Sequence, residues 1–217
     1  MEKQVTYQTT NTYETLNELT EKTENIWMVL HGIGFLSRFF LKYFDALDSD
    51  KNYIIAPQAP SKYYLKNEYR HVGASWLTKE NTQMEVTNLI AYLNEVLAAE
   101  PILENCKLIV FGFSQGVSIA TRWLAKTKLE IDHLILYAGG LPDELTANDF
   151  DYLAELNTKI TVLVGNKDEY LNHARMKSEN EKIEKLFKGK ARQIIFEGGH
   201  EIKKDLLPKI LKHEKLS

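Results

Sequence analysis

Six short apolar runs recur along the chain, and longer segments with a different hydrophobic spacing separate them. Each run is nearly continuous and rich in β-branched residues, which is typical of strands buried on both faces of a parallel sheet. The predicted strands are residues 26–30, 53–56, 107–111, 133–137, 159–164 and 193–196. The polar N-terminal stretch alternates weakly, which predicts one or two antiparallel edge strands near residues 5–8 and 12–15.

The intervening segments carry apolar residues every three or four positions, which is the period of an amphipathic helix. The predicted helices are residues 36–47, 82–99, 115–126, 170–187 and 202–211. Strands that alternate with helices indicate βαβ units, so the predicted fold class is α/β, with a mostly parallel central sheet and helices on both faces. The 21 residues between positions 137 and 159 are too few for a large lid.

Length and composition limit the possible classes of protein. The chain has 217 residues with no internal repeat and no Pro/Gly/Ser-rich linker, which predicts a single domain over residues 1–217. Its 27 basic and 30 acidic residues nearly balance, so no nucleic-acid partner is predicted. No apolar run approaches the roughly 18–20 residues that cross a bilayer, so no stable membrane insertion is expected. The sequence does not indicate the oligomeric state.

Two features favour a cytoplasmic location. The polar N-terminal stretch lacks the apolar core of a signal peptide, so no secretory leader is expected. The single cysteine, Cys106, excludes an intrachain disulfide, which agrees with a reducing compartment. We therefore expect a cytoplasmic protein.

The stretch GFSQG, residues 112–116, lies between a predicted strand and a predicted helix. It fits the pattern G-x-S-x-G, in which a serine sits in a sharp strand–turn–helix and its neighbours two positions away must lack bulk. Such a turn raises the serine hydroxyl above the sheet and directs the first amides of the helix at a reacting carbonyl. We interpret Ser114 as a nucleophile; the alternative is a glycine-rich turn in which Ser114 caps the helix.

A nucleophilic serine needs a base, and in this architecture the histidine comes last along the chain. His200 fits best, because it follows the strand 193–196 within EGGH, where two glycines free the loop. His133 begins an apolar strand, His173 lies in a charged helix, and His213 lies in the polar tail.

The base needs an orienting acid between the serine and the histidine. Asp168 follows the strand 159–164, at the carboxyl edge of the sheet where ligands bind in open α/β proteins. The alternative is a turn in which Asp168 caps the next helix. The competing acids are Asp143, Asp149, Asp151 and Glu169.

The loop LHGIG, residues 30–34, follows the first long strand and carries two glycines that let its backbone fold over the site. The expected oxyanion donors are the backbone amides of Ile33 and Gln115. We expect His31 to support this loop by hydrogen bonding. The sequence HEIKK is not H-E-x-x-H, and neither a C-x-x-C pair nor a P-loop occurs, so no metal and no other cofactor is predicted.

These motifs, together with APQAP (56–60), SW (75–76), AGGLP (138–142) and GNKD (165–168), follow the order seen in the phospholipase/carboxylesterase family. The chain resembles this branch of the α/β-hydrolases, which includes acyl-protein thioesterases and small bacterial carboxylesterases, from residue 26 to the C-terminus. The resemblance implies Ser114 as nucleophile, Asp168 as acid and His200 as base, with oxyanion amides from Ile33 and Gln115. It implies a serine hydrolase that cleaves small-molecule carboxylic esters or thioesters through an acyl-enzyme.

The chain departs from the family pattern around the expected pocket. Phe35 and Leu36 follow HGIG where relatives carry an acidic or small polar residue, and S-W-L-T stands in place of S-W-F-D. The candidate pocket residues are Phe35, Tyr63, Tyr64, Trp76 and Leu141; the alternative is that they are ordinary core or surface residues. Two other functions stay open: a peptidase or acyltransferase with the same triad, and a non-catalytic ligand-binding module on a hydrolase fold.

Overall fold

The structure is a computed structural model, and it describes residues 1–66, 68–103, 105–170 and 173–212. The strands, in chain order, are β1 (Tyr13–Leu16), β2 (Asn25–Leu30), β3 (Asn52–Pro57), β4 (Ser61–Leu65), β5 (His71–Ser75), β6 (Lys107–Phe113), β7 (His133–Tyr137), β8 (Lys159–Gly165) and β9 (Arg192–Phe196). The α-helices are α1 (Ser37–Phe40), α2 (Thr82–Ala98), α3 (Gln115–Thr127), α4 (Asp151–Glu155), α5 (His173–Phe187) and α6 (Leu206–Lys212).

The main sheet has the strand order β1-β3-β2-β6-β7-β8-β9. Only β1 runs antiparallel to its neighbour, and every other pair in this sheet is parallel. Strands β4 and β5 form a separate antiparallel hairpin. The predicted α/β class with a mostly parallel central sheet is therefore confirmed.

The core lies on both faces of the sheet, as β2 shows. Ile26, Met28 and Leu30 pack against the side that carries α2, α3 and α5, whereas Trp27 and Val29 pack against the side that carries α1 and α6. All five side chains are fully buried. Burial on both faces explains why the strands appear in the sequence as continuous apolar runs and not as alternating ones.

The predicted helix over residues 36–47 is only partly helical. The α-helical backbone covers Ser37–Phe40, and a 3₁₀ turn continues over Leu41–Tyr43. Phe40, Phe44 and Leu47 are nevertheless buried, as their spacing predicts. Phe40 and Phe44 pack edge-on against each other, and Phe44 packs edge-on against Phe111 beneath it. The hydrophobic spacing therefore reports which side chains face the core, while tertiary packing decides the backbone conformation.

Two further features, a strand and the start of a helix, differ from the sequence predictions. Residues 5–8 form no strand, because Val5 and Tyr7 are largely exposed and bury no apolar face that would stabilise an extra edge strand. The last helix begins at Leu206 and not near residue 202. In the helix expected over residues 170–187, the described helical residues are His173–Phe187, and residues 171–172 lie outside the described part.

Among the described helices, none is both long and apolar enough to cross a membrane. Between β7 and β8 the chain forms the short helix α4 and a 3₁₀ turn, Ala147–Asp149, and no large lid.

Candidate active site

Ser114 lies in a strained turn between β6 and α3. Its φ of 53° and ψ of −117° are unfavourable for a residue with a side chain. A Cβ on Gly112 would lie 2.6 Å from the carbonyl oxygen of Gly116, and a Cβ on Gly116 would overlap the carbonyl oxygen of Leu30. Both glycines are therefore needed for the helix to start this close to β2 and β6.

The structure brings Ser114, His200 and Asp168 into one hydrogen-bonded chain. His200 Nε2 lies 2.9 Å from Ser114 Oγ, and His200 Nδ1 lies 2.8 Å from Asp168 Oδ2. The Asp168 side chain is fully buried, whereas the His200 side chain keeps 15% of its surface exposed. A serine, an imidazole and a buried carboxylate in this order can move a proton from the hydroxyl to the imidazole.

The loops that carry Asp168 and His200 are bound to each other. They follow the neighbouring parallel strands β8 and β9. The Asn166 and Lys167 backbone amides donate to the carbonyls of Phe196 and Gly198 at 2.9 and 2.8 Å. The Asn166 side chain accepts from the Gly198 amide at 3.2 Å. These bonds fix the position of Asp168 relative to His200.

Two aromatic rings hold the His200 imidazole. Phe113 lies 5.1 Å away and Tyr170 lies 4.7 Å away in an edge-on contact, both measured between ring centroids. The Tyr170 backbone amide also donates to Asp168 Oδ1 at 2.9 Å. No sequence motif singles out Tyr170; its place two residues after the predicted acid Asp168 is the signal that could have indicated it.

The glycine loop after β2 lies against the serine. A Cβ on Gly32 would be 3.0 Å from Ser114 Cβ, and Ile33 lines the same cavity as Ser114. The amides of Gly34 and Phe35 donate to the carbonyls of Ala74 and Gly32. Gln115 is the first residue of α3, so its backbone amide has no acceptor within the helix.

His31 supports this loop, as the sequence analysis expects. It is fully buried, its Nδ1 lies 2.8 Å from the Gly32 carbonyl oxygen, and its Nε2 accepts from the Ala59 amide at 3.1 Å. These partners require an Nδ1-protonated neutral ring. Burial lowers the pKa of His31 to about 4, because a buried imidazolium would lose its hydration.

We expect this shift to make folding stability depend on pH. Because the folded-state pKa lies below the usual 6.5, the unfolded chain binds the proton more tightly, and stability falls as the pH drops from about 6.5 to about 4. Between pH 7 and pH 5 this group alone should lower the free energy of unfolding by about 2 kcal/mol. Urea unfolding of the wild type and of His31→Asn at both pH values measures it. An undiminished pH dependence in the variant would contradict the prediction.

A cavity of about 700 Å³ opens above Ser114, His200 and Asp168. Phe35 and Leu141, two of the predicted pocket residues, line it. The structure places the other three elsewhere. Tyr63 and Tyr64 lie on β4, in the partly exposed hairpin. Trp76 is fully buried and donates its indole N–H to the His31 carbonyl at 2.7 Å, so the prediction that it lines the pocket is wrong.

Charged side chains form part of the cavity wall. Glu179 accepts from the Leu141 amide at 2.9 Å, and Lys182 donates to the Leu141 carbonyl at 3.3 Å. Lys182 also pairs with Asp143 at 2.6 Å. Arg122, another lining residue, pairs at 2.6 Å with Glu144, which does not line the cavity. Sequence reasoning missed this wall, because its partners lie up to 41 residues apart and no motif joins them.

Of the other histidines after Ser114, His133 lies away from the site. His133 is buried at the opposite end of its strand, where its Nε2 lies 2.8 Å from Thr161 Oγ1. His213 lies outside the described residues. Within the described part of the chain, no group of three or more His, Cys, Asp or Glu side chains could hold a metal ion.

Comparison with known proteins identifies the family to which the chain belongs. The sequence profile of the phospholipase/carboxylesterase family matches residues 11–217. The chain belongs to this family. Comparison with curated protein sequences gives no match.

Solved structures of phospholipase/carboxylesterase-type proteins share the fold. Zea mays acyl-protein thioesterase 2 superposes with a TM-score of 0.69 at 15% identity, over 94% of this chain and 97% of that one. A phospholipase/carboxylesterase from Dyadobacter fermentans gives 0.63 at 21% identity, over 95% and 97%. The Bacillus cereus carboxylesterase gives 0.63 at 15% identity, over 94% and 92%. The chain therefore belongs to a family of hydrolases, and its structural neighbours include esterases and a thioesterase.

Proposed function

We propose that this protein is a serine hydrolase that cleaves carboxylic esters or thioesters through an acyl-enzyme, with Ser114, His200 and Asp168 as the catalytic triad. The hydrogen-bonded chain from Ser114 Oγ through His200 to Asp168 carries the proposal. Family membership and the esterase and thioesterase neighbours support the reaction class.

In the first half-reaction, Ser114 Oγ attacks the substrate carbonyl while His200 Nε2 takes its proton. Asp168 holds the ring with Nδ1 protonated and stabilises the imidazolium that forms. The backbone amides of Ile33 and Gln115 donate to the oxyanion, and the N-terminal end of α3 favours its negative charge. His200 then gives its proton to the departing alcohol or thiol.

In the second half-reaction, His200 takes a proton from water, and the resulting hydroxide attacks the acyl-serine. Collapse of the tetrahedral intermediate releases the carboxylic acid and returns the proton to Ser114. No step needs a metal or another cofactor, and the proposed partner is a small-molecule substrate.

A fluorophosphonate probe tests the assignment of the nucleophile. It should label Ser114, which peptide mass spectrometry of the labelled chain would locate, and the wild type should show a burst of product with an activated ester. Labelling at another serine, or ligand binding with no burst, would contradict the proposal and favour a non-catalytic binding module. Comparing an ester with a peptide amide of the same acyl group separates an esterase from a peptidase.

We expect a preference for short acyl groups. A methylene gains about 0.8 kcal/mol, or about fourfold in kcat/KM, only where it leaves water for an apolar wall. Besides Phe35 and Leu141, the cavity wall carries the charged groups of Asp143, Glu179 and Lys182, so a long acyl chain would meet charged as well as apolar surface. Across p-nitrophenyl acetate, butyrate, octanoate and dodecanoate, kcat/KM should peak at the short esters. A rise of about fourfold per methylene up to dodecanoate would refute this.

A further inference from the structure

A five-residue segment at the end of β5, residues 73–77, touches both the glycine loop and the start of α3, which are proposed to stabilise the oxyanion; we name it the β5 brace. The Gly34 amide donates to the Ala74 carbonyl at 2.8 Å. A Cβ on Gly73 would lie 2.6 Å from the Gly34 carbonyl oxygen and 2.8 Å from its Cα. The residue next to Ile33 therefore rests directly on the β5 brace.

The side chain of Gln115 binds the same segment. Its Oε1 accepts from the Trp76 amide at 2.9 Å, and its Nε2 donates to the Leu77 carbonyl at 2.8 Å and to Ser75 Oγ at 3.1 Å. Both ends of the carboxamide are used, and each faces a partner of the opposite type. The bonds therefore fix one orientation of Gln115 at the start of α3.

Trp76 joins the β5 brace to the beginning of the glycine loop. Its indole N–H donates to the His31 carbonyl at 2.7 Å, and its ring lies 4.9 Å from the His31 ring. Both residues are fully buried. The brace thus contacts the glycine loop at two points, His31 and Gly34, and α3 at one, Gln115.

We propose that the Gln115 side chain is a positioning residue that locks the Ile33 and Gln115 amides to one common support, the β5 brace. This inference rests on the proposed function of the site. An oxyanion hole accelerates a reaction because its donors are held in place before charge develops, and a misplacement of about 1 Å can cost about 100-fold in rate. A shared brace sets the spacing between the two donors, although they lie on different elements.

Gln115→Met tests the proposal, because methionine keeps the length of the side chain and removes the hydrogen bonds to residues 75–77. We expect kcat on p-nitrophenyl butyrate to fall about 10- to 100-fold, with KM changed by less than about threefold. The matched control is Gln83→Met, the same change at an exposed position in the first turn of α2, which should keep wild-type activity.

Two measurements separate positioning from a loss of folded enzyme. Titration of active sites with a fluorophosphonate gives kcat per competent serine, which a merely structural role would leave unchanged. Ser114 Oγ adds to the carbonyl carbon of a trifluoromethyl ketone, and the carbonyl oxygen becomes an oxyanion in the oxyanion hole. The inhibition constant of this ketone should rise by the same factor by which kcat/KM falls.

Gly73→Ala perturbs the brace at its other contact and guards against a Gln115 variant that fails to fold. We expect a loss in kcat of about 10-fold or more. Because both changes disturb one support, the double variant should lose less than the product of the single losses.

The outcomes distinguish this inference from the proposed function. A wild type that hydrolyses no ester overturns both. An active wild type, together with a folded Gln115→Met variant of equal kcat per titrated site, overturns the positioning role alone. Independent, multiplicative losses in the double variant would also overturn it, since they would mean that the two donors have separate supports.

Discussion

Ser114→Ala should lower kcat on p-nitrophenyl butyrate by about 10⁴- to 10⁶-fold. Alanine removes the only atom of this residue that can attack a carbonyl, Oγ, which lies 2.9 Å from His200 Nε2. The fold should persist, because the Ser114 backbone amide keeps its hydrogen bond to the Tyr137 carbonyl and alanine fits the same turn. Steady-state kinetics, with circular dichroism as the check on folding, measures the effect.

The control for this variant is Ser178→Ala, the same substitution at an exposed position on α5. It should leave kcat and KM unchanged. Turnover by Ser114→Ala at more than about a hundredth of the wild-type rate would mean that another group attacks the substrate, and the proposed mechanism would have to be abandoned.

Asp168→Asn should lower kcat by about 10³- to 10⁴-fold with little change in structure. The Tyr170 amide donates to Asp168 Oδ1, so the asparagine oxygen is expected to stay there and its NH₂ group to face His200 Nδ1. An NH₂ group at that place requires an unprotonated Nδ1, so the neutral imidazole carries its proton on Nε2. Nε2 then has no lone pair with which to accept the Ser114 proton.

Glu169→Gln provides the comparison for Asp168→Asn. Glu169 lies next to Asp168 and accepts from the His200 backbone amide at 3.3 Å, and a glutamine oxygen can accept that bond equally well. We expect a loss of less than about 10-fold. If the Glu169 variant lost more activity than the Asp168 variant, the identity of the acid would be reversed. The kcat values of both, measured at pH 8, decide between them.

The inner strands β2, β3, β6 and β7 were predictable because nearly all of their side chains are buried, on both faces of the sheet. The run at residues 133–137 coincides with β7, and the run at 107–111 lies within β6. A parallel strand inside a covered sheet must be apolar at nearly every position, so the pattern is hard to produce otherwise. The β4–β5 hairpin was missed for the opposite reason. It lies outside the main sheet, and its first strand is largely exposed, with no period-2 alternation to indicate it.

The positions of Ser114, Asp168 and His200 could be predicted because chain order and the ends of strands constrain them. Each follows a strand of the parallel sheet, and the carboxyl ends of those strands meet at one edge. The pocket could not be predicted in the same way. Trp76 has the aromatic side chain expected of a pocket residue, but it is fully buried and its indole N–H donates to the His31 carbonyl.

By itself, the sequence determined which runs form the inner strands, where the serine turn lies and in what order Asp168 and His200 follow it, because these depend on local pattern and direction along the chain. Only the tertiary structure decided which side chains meet across long separations. Glu179 and Lys182 hold the backbone of Leu141, and Gln115 holds residues 75–77. Such contacts arise from how whole elements pack, and no short stretch of sequence encodes them.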